Sequence, residues 1–411
     1  MGVSARCTLE NIRSAAFLLR RLFFGSGSKT VGRTASEYIP DNSLVAGSIP
    51  ASPSKYTGVY TMKIEDDVKL DFADVLIRPK RSTLDSRNKV DLIRRFTFRL
   101  SEGKETVWEG VPIMASNMDT IGTFEMAEAL EKHQSLCAIH KYYTTDDWQK
   151  EASGWFARHP NCGLVYTMGM GSDSSNWSEL QKAQEVMRLV PAVRFICVDV
   201  ANGYTEKFVR YVQTIRQTFP NHILIAGNVV TREMTEALIL AGANIVKIGI
   251  GPGSVCTTRK VAGVGYPQLS CIMECADAAH GLGGYVLSDG GCTCPGDVAK
   301  AFGAGADFVM IGGMFAGTDE AAGEETEDGK EFYGMSSATA MEKYSGGVAA
   351  YRAAEGKRVH VKPVGPVDGV MQQILGGVRS ACTYVGAARL KDLPKCTTFV
   401  RVNRQLNTIF T

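Results

Sequence analysis

Eight short apolar runs, each closed by a polar residue or a glycine, restrict the fold of this 411-residue chain more than any other feature. They are Val111–Asn117, Leu136–Lys141, Cys162–Met168, Phe195–Asn202, His222–Val230, Asn244–Gly251, Tyr285–Gly291 and Phe308–Phe315. Amphipathic segments lie between them: Phe124–His133, Ser178–Leu189, Glu206–Phe219, Arg232–Leu240, Gln268–His280 and Asp297–Phe302. Runs that are apolar without alternation suit strands covered on both faces. Eight strand–helix units in roughly 250 residues predict an α/β fold, a closed (β/α)8 TIM barrel. An internal echo agrees: Ala241–Gly249 (AGANIVKIG) repeats as Ala304–Gly312 (AGADFVMIG), two units later.

In such a barrel, function collects at the C-terminal ends of the strands. The residues there are Asn117, Asp119, Lys141, Asp199, Asn202, Asn228, the glycine loop from Gly249, Asp289 and Gly312-Gly313. Packing alone does not require so many polar residues and glycines on one rim. His140, next to Lys141, is read as a packing residue.

Composition narrows the class. Lys plus Arg is 45 and Asp plus Glu is 43, a formal charge of +2, so neither a nucleic-acid coat nor an acidic tail is expected. No apolar run approaches the roughly 18–20 residues of a spanning helix, so no membrane partner is expected. The eleven cysteines are odd in number, and several sit inside apolar runs. That pattern predicts buried, reduced thiols in a cytosolic or organellar protein, and a cytoplasmic location is expected. No His/Cys cluster has zinc spacing. Residues 1–61 stand apart, with seven Lys/Arg against three Asp/Glu. They are read as a separate N-terminal extension, disordered or targeting; an Arg-rich, acid-poor start would make the location mitochondrial if it serves as a presequence. Residues 62–411 are read as the catalytic barrel with a C-terminal flap and tail. The acidic stretch from Asp319 to Glu331 is read as a solvated loop.

The sharpest local feature is the loop Gly249-Ile250-Gly251-Pro252-Gly253-Ser254-Val255-Cys256-Thr257-Thr258-Arg259. Glycines and a proline fix an unusual path that exposes carbonyls and presents one thiol. Cys256 is a candidate nucleophile there; a buried, inert thiol is the competing reading. The Gly-Gly pairs at 290–291 and 312–313 are equally consistent with phosphate cradles and with tight barrel turns.

Gly251–Arg259 resembles the active-site loop of the inosine-monophosphate dehydrogenase and GMP reductase superfamily. Other segments agree in order along residues 62–411: Leu70–Pro79 (LDFADVLIRP), Ser116–Thr120 (SNMDT), Asp199–Gly203 (DVANG), Ser288–Gly291 (SDGG), Gly312–Met314 (GGM) and Phe332–Ser337 (FYGMSS). The chain lacks room for regulatory modules after the second strand. It also carries Tyr351-Arg352 where the dehydrogenase flap has Arg-Tyr. It therefore resembles the reductase branch, of eukaryotic type.

That resemblance implies irreversible, NADPH-dependent reductive deamination of GMP to IMP and ammonia, within purine interconversion and salvage. Cys256 would be the nucleophile, with Thr258 and Glu355 as proton relay. Substrate contacts would come from Asp289, Gly290, Gly291, Gly312, Gly313, Gly334, Met335 and Ser336, and from Arg352, Ala353, Ala354, Glu355 and Gly356. The cofactor would meet Ser86, Arg87, Lys141, Asp199, Val200, Ala201, Ile250, Gly251, Met335 and Tyr351. Ser380, Ala381, Cys382 and Thr383 would reach its adenosine end from a neighbouring subunit. Gly251, Gly253, Cys256 and Arg259 would hold a monovalent cation such as K+. The family assembles as homotetramers. An IMP dehydrogenase without regulatory modules, a non-catalytic nucleotide-binding scaffold and an FMN-dependent barrel remain the alternatives.

Overall fold

The computed structural model describes residues 63–159, 163–171 and 178–403. The expectations placed on residues 1–61, and Cys162 at the start of the third run, lie outside them. The eight runs form a closed parallel barrel. Its strands are β1 (Ile113–Ala115), β2 (Leu136–Ile139), β3 (Gly163–Met168), β4 (Phe195–Asp199), β5 (Ile223–Val229), β6 (Ile245–Ile248), β7 (Tyr285–Asp289) and β8 (Phe308–Ile311). Each starts within two residues of the expected run, and all but β3 stop earlier, because the last residues of those runs leave the ladder to form the rim.

The outer layer holds α1 (Phe124–Glu131), α2 (Thr145–Ala152), α3 (Ser178–Leu189), α4 (Glu206–Thr218), α5 (Arg232–Leu240), α6 (Gln268–Gly281), α7 (Pro295–Gly303) and α8 (Val367–Val385). Their starts are encoded locally. Thr123, Thr144 and Thr205 each accept a backbone N–H of the first turn, and Pro295 opens α7 where its missing N–H costs nothing. The sequence echo is a repeated helix-to-strand joint. Gly242 and Gly305 both have φ +111°, and the next residue donates back to the helix in each case, Ala243 to Leu238 and Ala306 to Ala301. Asn244 and Asp307 then accept the N–H of the preceding strand, Leu224 at 3.0 Å and Val286 at 3.0 Å.

A hairpin that the strand count did not include closes the barrel floor. Its strands are Arg94–Arg99 and Glu105–Gly110. Phe96, Phe98 and Trp108 join the interior side chains of the barrel in one buried cluster. Phe96 stacks on Phe308 at 4.4 Å and Phe98 meets Phe195 edge-on at 6.1 Å; these are the first residues of β8 and β4. The hairpin therefore plugs the end opposite the rim. Arg94 completes the plug through Asp307, at 3.2 Å.

The acidic stretch is not a solvated loop throughout. Glu325–Thr326 and Gly329–Tyr333 pair with each other, and Arg358–Val361 extends them into a three-stranded antiparallel sheet. Lys330 and Glu331 are buried within it, and the Glu320 carboxylate accepts the Val367 N–H at the start of α8. Residues 324–328 are exposed, whereas 330–333 are buried in succession, so the stretch carries no period that the sequence could show.

The floor plug generates a stability prediction. Phe96→Ala should lower unfolding free energy by about 3–5 kcal/mol, the usual cost of emptying a fully buried aromatic site. Urea unfolding followed by circular dichroism measures it; a loss below about 1 kcal/mol would show that the plug is dispensable.

Candidate active site

The rim is built around one loop. The 249–259 segment leaves β6 and places Cys256 and Thr258 half-buried, with the Cys256 thiol donating to Thr258 Oγ1 at 3.3 Å. The loop turns on itself through the Cys256 N–H, which donates to the Gly253 carbonyl at 3.1 Å. Arg259 fastens its far end, donating to Asp71 Oδ2 at 2.9 Å and to the Tyr266 carbonyl at 2.7 Å. Asp71 also accepts the Gln268 N–H that begins α6.

A second segment is laced against this loop by main-chain bonds. Thr257 N–H donates to the Glu355 carbonyl at 2.9 Å, and Lys357 N–H donates to Val255 at 2.9 Å. On its other side, Glu355 N–H donates to Ser336 at 2.9 Å, and Gly334 N–H to Lys357 at 3.1 Å. Residues 355–357 thus lie between the thiol loop and the 334–337 turn. This brings Cys256, Thr258 and Glu355, 99 residues apart at the extremes, onto one surface. The approach is so close that a Cβ at position 334 would sit 3.0 Å from the Val255 carbonyl oxygen.

The glycine pairs are drawn to the same place. A Cβ at 290, where φ is +88°, would meet the Gly253 nitrogen at 3.1 Å. A Cβ at 313 would meet Ser254 Oγ at 2.7 Å. The backbones of 289–291, 312–313 and 334–336 therefore all border the thiol loop, where a phosphate cradle of N–H groups could form.

Beneath the loop lies a charged cluster. Lys247 of β6, 3% exposed, donates to Asp199 Oδ1 at 2.9 Å, to Asn228 Oδ1 at 3.0 Å and to Asp289 Oδ2. Asn228 donates to Asp289 Oδ2 at 2.8 Å and to the Gly249 carbonyl at 2.7 Å. Burial alone would push the Asp199 carboxyl up; the Lys247 ammonium outweighs it and holds the carboxyl below its usual range. Burial likewise opposes the Lys247 charge, and the two carboxylates reverse that, so the ammonium is firmly protonated. Sequence reasoning named Asp199, Asn228 and Asp289 but passed over Lys247. The available signal was a lysine inside an otherwise apolar strand, where an unpaired charge is not tolerated.

A third cluster fastens the flap. Asp119, at the end of β1, is buried, and its Oδ2 accepts from Tyr333 at 2.5 Å, Tyr344 at 2.6 Å and Lys343 at 3.0 Å. Lys343 and Tyr344 belong to the helix Ala338–Ser345, and the Tyr344 ring stacks on Tyr142 at 3.4 Å. Next to it His140 stacks on Tyr143 at 4.3 Å and accepts the Tyr142 N–H through Nδ1. Burial pushes the His140 pKa down to about 4, so this histidine is neutral and packed.

The remaining candidates divide. Lys141, half-buried beyond β2, has its carbonyl held by Lys182 at 2.7 Å, and its charge helps to depress the Asp199 pKa. Val200 is fixed by exchange with Gly227 and Asn228, and Ala201 is exposed beside it. Ile250 accepts from Tyr266 N–H. Met335 and Ser336 are half-buried in the turn below Glu355. Tyr351, Arg352 and Ala353 are exposed, Ala354 and Gly356 half-buried. The short helix Arg87–Lys89, preceded by Ser86, packs instead against α8, which carries Ser380, Ala381, Cys382 and Thr383. Among the described residues, no hydrogen bond joins these six to the thiol loop.

The model for the IMP dehydrogenase / GMP reductase domain matches residues 69–406. The chain belongs to this family. Its similarity extends to GMP reductase 2 of Homo sapiens, 59% identical over 351 residues, covering 84% of this chain and 98% of the relative. GMP reductase 2 of Mus musculus is 58% identical over 351 residues, with the same coverage. GMP reductase of Phytophthora infestans is 58% identical over 352 residues, covering 85% of this chain and 94% of the relative. Among the described residues, no helix of this family member is long and apolar enough to cross a membrane.

Two predictions follow from the flap and its surroundings. Asp119→Ala should release the flap, so tryptic cleavage at Lys343 or Arg352 should accelerate by about tenfold or more, as expected when a local opening is eased by over 1.4 kcal/mol. Unchanged cleavage would remove Asp119 as the fastener. His140, with its folded pKa depressed, loses stability as pH falls from about 6.5 towards 4, because the unfolded chain takes up the proton first. His140→Gln should flatten that fall by on the order of 1–2 kcal/mol between pH 7 and 5, read from urea midpoints.

Proposed function

We propose that this chain catalyses NADPH-dependent reductive deamination of GMP to IMP and ammonia. The observation that carries the reading is the main-chain lacing that sets Glu355 beside Cys256 and Thr258. The relatives named above are GMP reductases, and they align over nearly their whole length.

Cys256, as thiolate, attacks carbon 2 of the guanine base. The electron pair passes to the ring, giving a tetrahedral adduct. The exocyclic amine is a poor leaving group until it is protonated, and the Thr258 hydroxyl and Glu355 carboxyl form the relay that delivers the proton. Ammonia departs and leaves a thioimidate between the Cys256 sulfur and carbon 2. NADPH supplies the hydride that converts carbon 2 to its IMP form, and the thiolate is released. Over the cycle one GMP, one NADPH and one proton give IMP, NADP+ and ammonia. Water must be kept from the covalent stage, since hydrolysis would divert it to XMP. The flap, fastened by Asp119 and laced along 355–357, is the element that covers it.

Binding follows from the same geometry. Asp289 accepts from the ribose hydroxyls through Oδ1, since Oδ2 already serves Lys247 and Asn228. Backbone N–H groups at Gly290-Gly291, Gly312-Gly313 and Gly334-Met335-Ser336 cradle the phosphate. Arg352–Gly356 border the base. The rim fits a nicotinamide cofactor: Asp199 and Lys141 supply opposite charges, and Tyr351 offers a ring 89% exposed. For a monovalent cation, the hard carbonyl oxygens of Gly251, Gly253 and Cys256 suit K+. Arg259 can add only its carbonyl, because its guanidinium is spent on Asp71 and Tyr266. Such an ion would fix the carbonyls on either side of the thiol. A homotetramer belongs to the same reading, with Ser380–Thr383 meeting the cofactor of a neighbour, which accounts for their distance from the thiol loop.

The test is NADPH absorbance on adding GMP to the full chain and to Cys256→Ala. The wild type should consume NADPH and form IMP and ammonia, and the variant should lose at least about 1,000-fold in kcat while still binding GMP. NADH formation from IMP and NAD+, with no reaction of GMP, would move the chain to the dehydrogenase branch.

A further inference from the structure

Lys247 sits where the two ligand sites meet. It is buried in β6, and its three N–H donors are matched by three acceptors from three other strands: Asp199 from β4, Asn228 from β5 and Asp289 from β7. With every donor engaged, the ammonium has none left for a ligand. Its partners do have capacity. Asp289 bonds Lys247 and Asn228 through Oδ2, and Oδ1 lies outside the network. Asp199 offers Lys247 only Oδ1 and is also hydrogen-bonded by Asn117, and its side chain keeps about a quarter of its surface open.

We propose that Lys247 is a positioning residue shared by both sites, holding Asp289 ready for the nucleotide ribose and Asp199 ready for the nicotinamide cofactor. The proposal deepens the reading given under Proposed function and rests on it. The physical reason is charge. Two carboxylates stand within hydrogen-bond reach of one nitrogen, so the cluster carries two negative charges against one positive. Remove the ammonium, and two like charges face each other in a half-buried place, where solvent screens only part of the repulsion. One must then take up a proton or swing away, and its ligand loses a correctly placed acceptor. The base of the lysine is held firmly by its neighbour strand. A Cβ at Gly227 would collide with the Lys247 carbonyl and press on its Cβ at 2.7 Å, so β5 is packed directly on this residue. Asn228 also ties the cluster to the Gly249 carbonyl, where the thiol loop begins.

The experiment measures GMP and NADPH binding separately, by calorimetry, on the full chain. The variants are Lys247→Met, Asp289→Asn and the double variant Lys247→Met/Asp289→Asn, each checked for folding by circular dichroism. Lys247→Met should weaken both ligands by about tenfold or more, whereas Asp289→Asn should weaken GMP alone. The double variant has one carboxylate and no ammonium, so the repulsion is gone. Its NADPH affinity should return to within about threefold of Asp289→Asn while GMP stays weak. A lysine that only supports the fold would give no such recovery. Failure of the double variant to recover NADPH binding overturns the proposal, as does a Lys247→Met that weakens one ligand only. Should Lys247→Met not fold, Lys247→Arg and Lys247→Gln decide: both affinities kept within about fivefold in Lys247→Arg and both lost in Lys247→Gln support the charge, and equal behaviour of the two variants overturns it. A wild-type chain that binds neither ligand overturns the site reading and this assignment together, and that arm is seen separately.

Discussion

The lacing of residues 355–357 between the thiol loop and the 334–337 turn is the interaction on which the site depends. Four backbone hydrogen bonds, all between 2.9 and 3.1 Å, join segments that the sequence keeps far apart. Backbone bonds do not specify side chains, but they fix register. Here the register sets Gly356 opposite both Cys256 and Ser337 and places the Glu355 main chain against Thr257 and Ser336. The glycines at 334 and 356 are what let the three segments come this close, since each would otherwise drive a Cβ into the other's Cα at 3.1 Å. Chemistry at the rim therefore rests on a backbone contact rather than on a side-chain network.

Around that contact the structure divides its charges by depth. Lys247 lies buried at the bottom with all three donors engaged, and the half-buried Asp199 and Asp289 stand above it. Asp119 fastens the flap from the side. Arg352 and Tyr351 stay exposed above. Buried charges that are paired and hydrogen-bonded are rigid, and rigidity suits groups that must aim a ligand. Among the described residues, the barrel floor is closed by an apolar, aromatic plug, and the polar groups named above collect at the opposite end.

Much of this was legible in the sequence. Eight strands announced themselves as apolar runs because parallel strands are buried on both faces. Their last residues announced the rim because Asn117, Asp199, Asn228 and Asp289 interrupt those runs. The thiol loop was legible through its glycines. Three features were not. The floor hairpin alternates in a charged stretch, Arg94 to Gly110, whose apolar members are spaced too thinly to stand out. Lys247 was hidden because one charge in a four-residue strand breaks no periodicity; only its partners, distant in sequence, make it tolerable. The Asp119 fastener joins residues more than 200 positions apart, and no local pattern encodes such a pairing. Long-range polar contacts are what a single sequence conveys least.

The central claim is that the Cys256 sulfur bonds to carbon 2 of the nucleotide. It is tested most directly by incubating the full chain with GMP, without NADPH, quenching in acid and sequencing the Cys256 peptide by mass spectrometry. The account predicts that Cys256 carries the mass of GMP less one ammonia. An unmodified Cys256 in a chain shown to turn over GMP, or the same adduct on another cysteine, would contradict it.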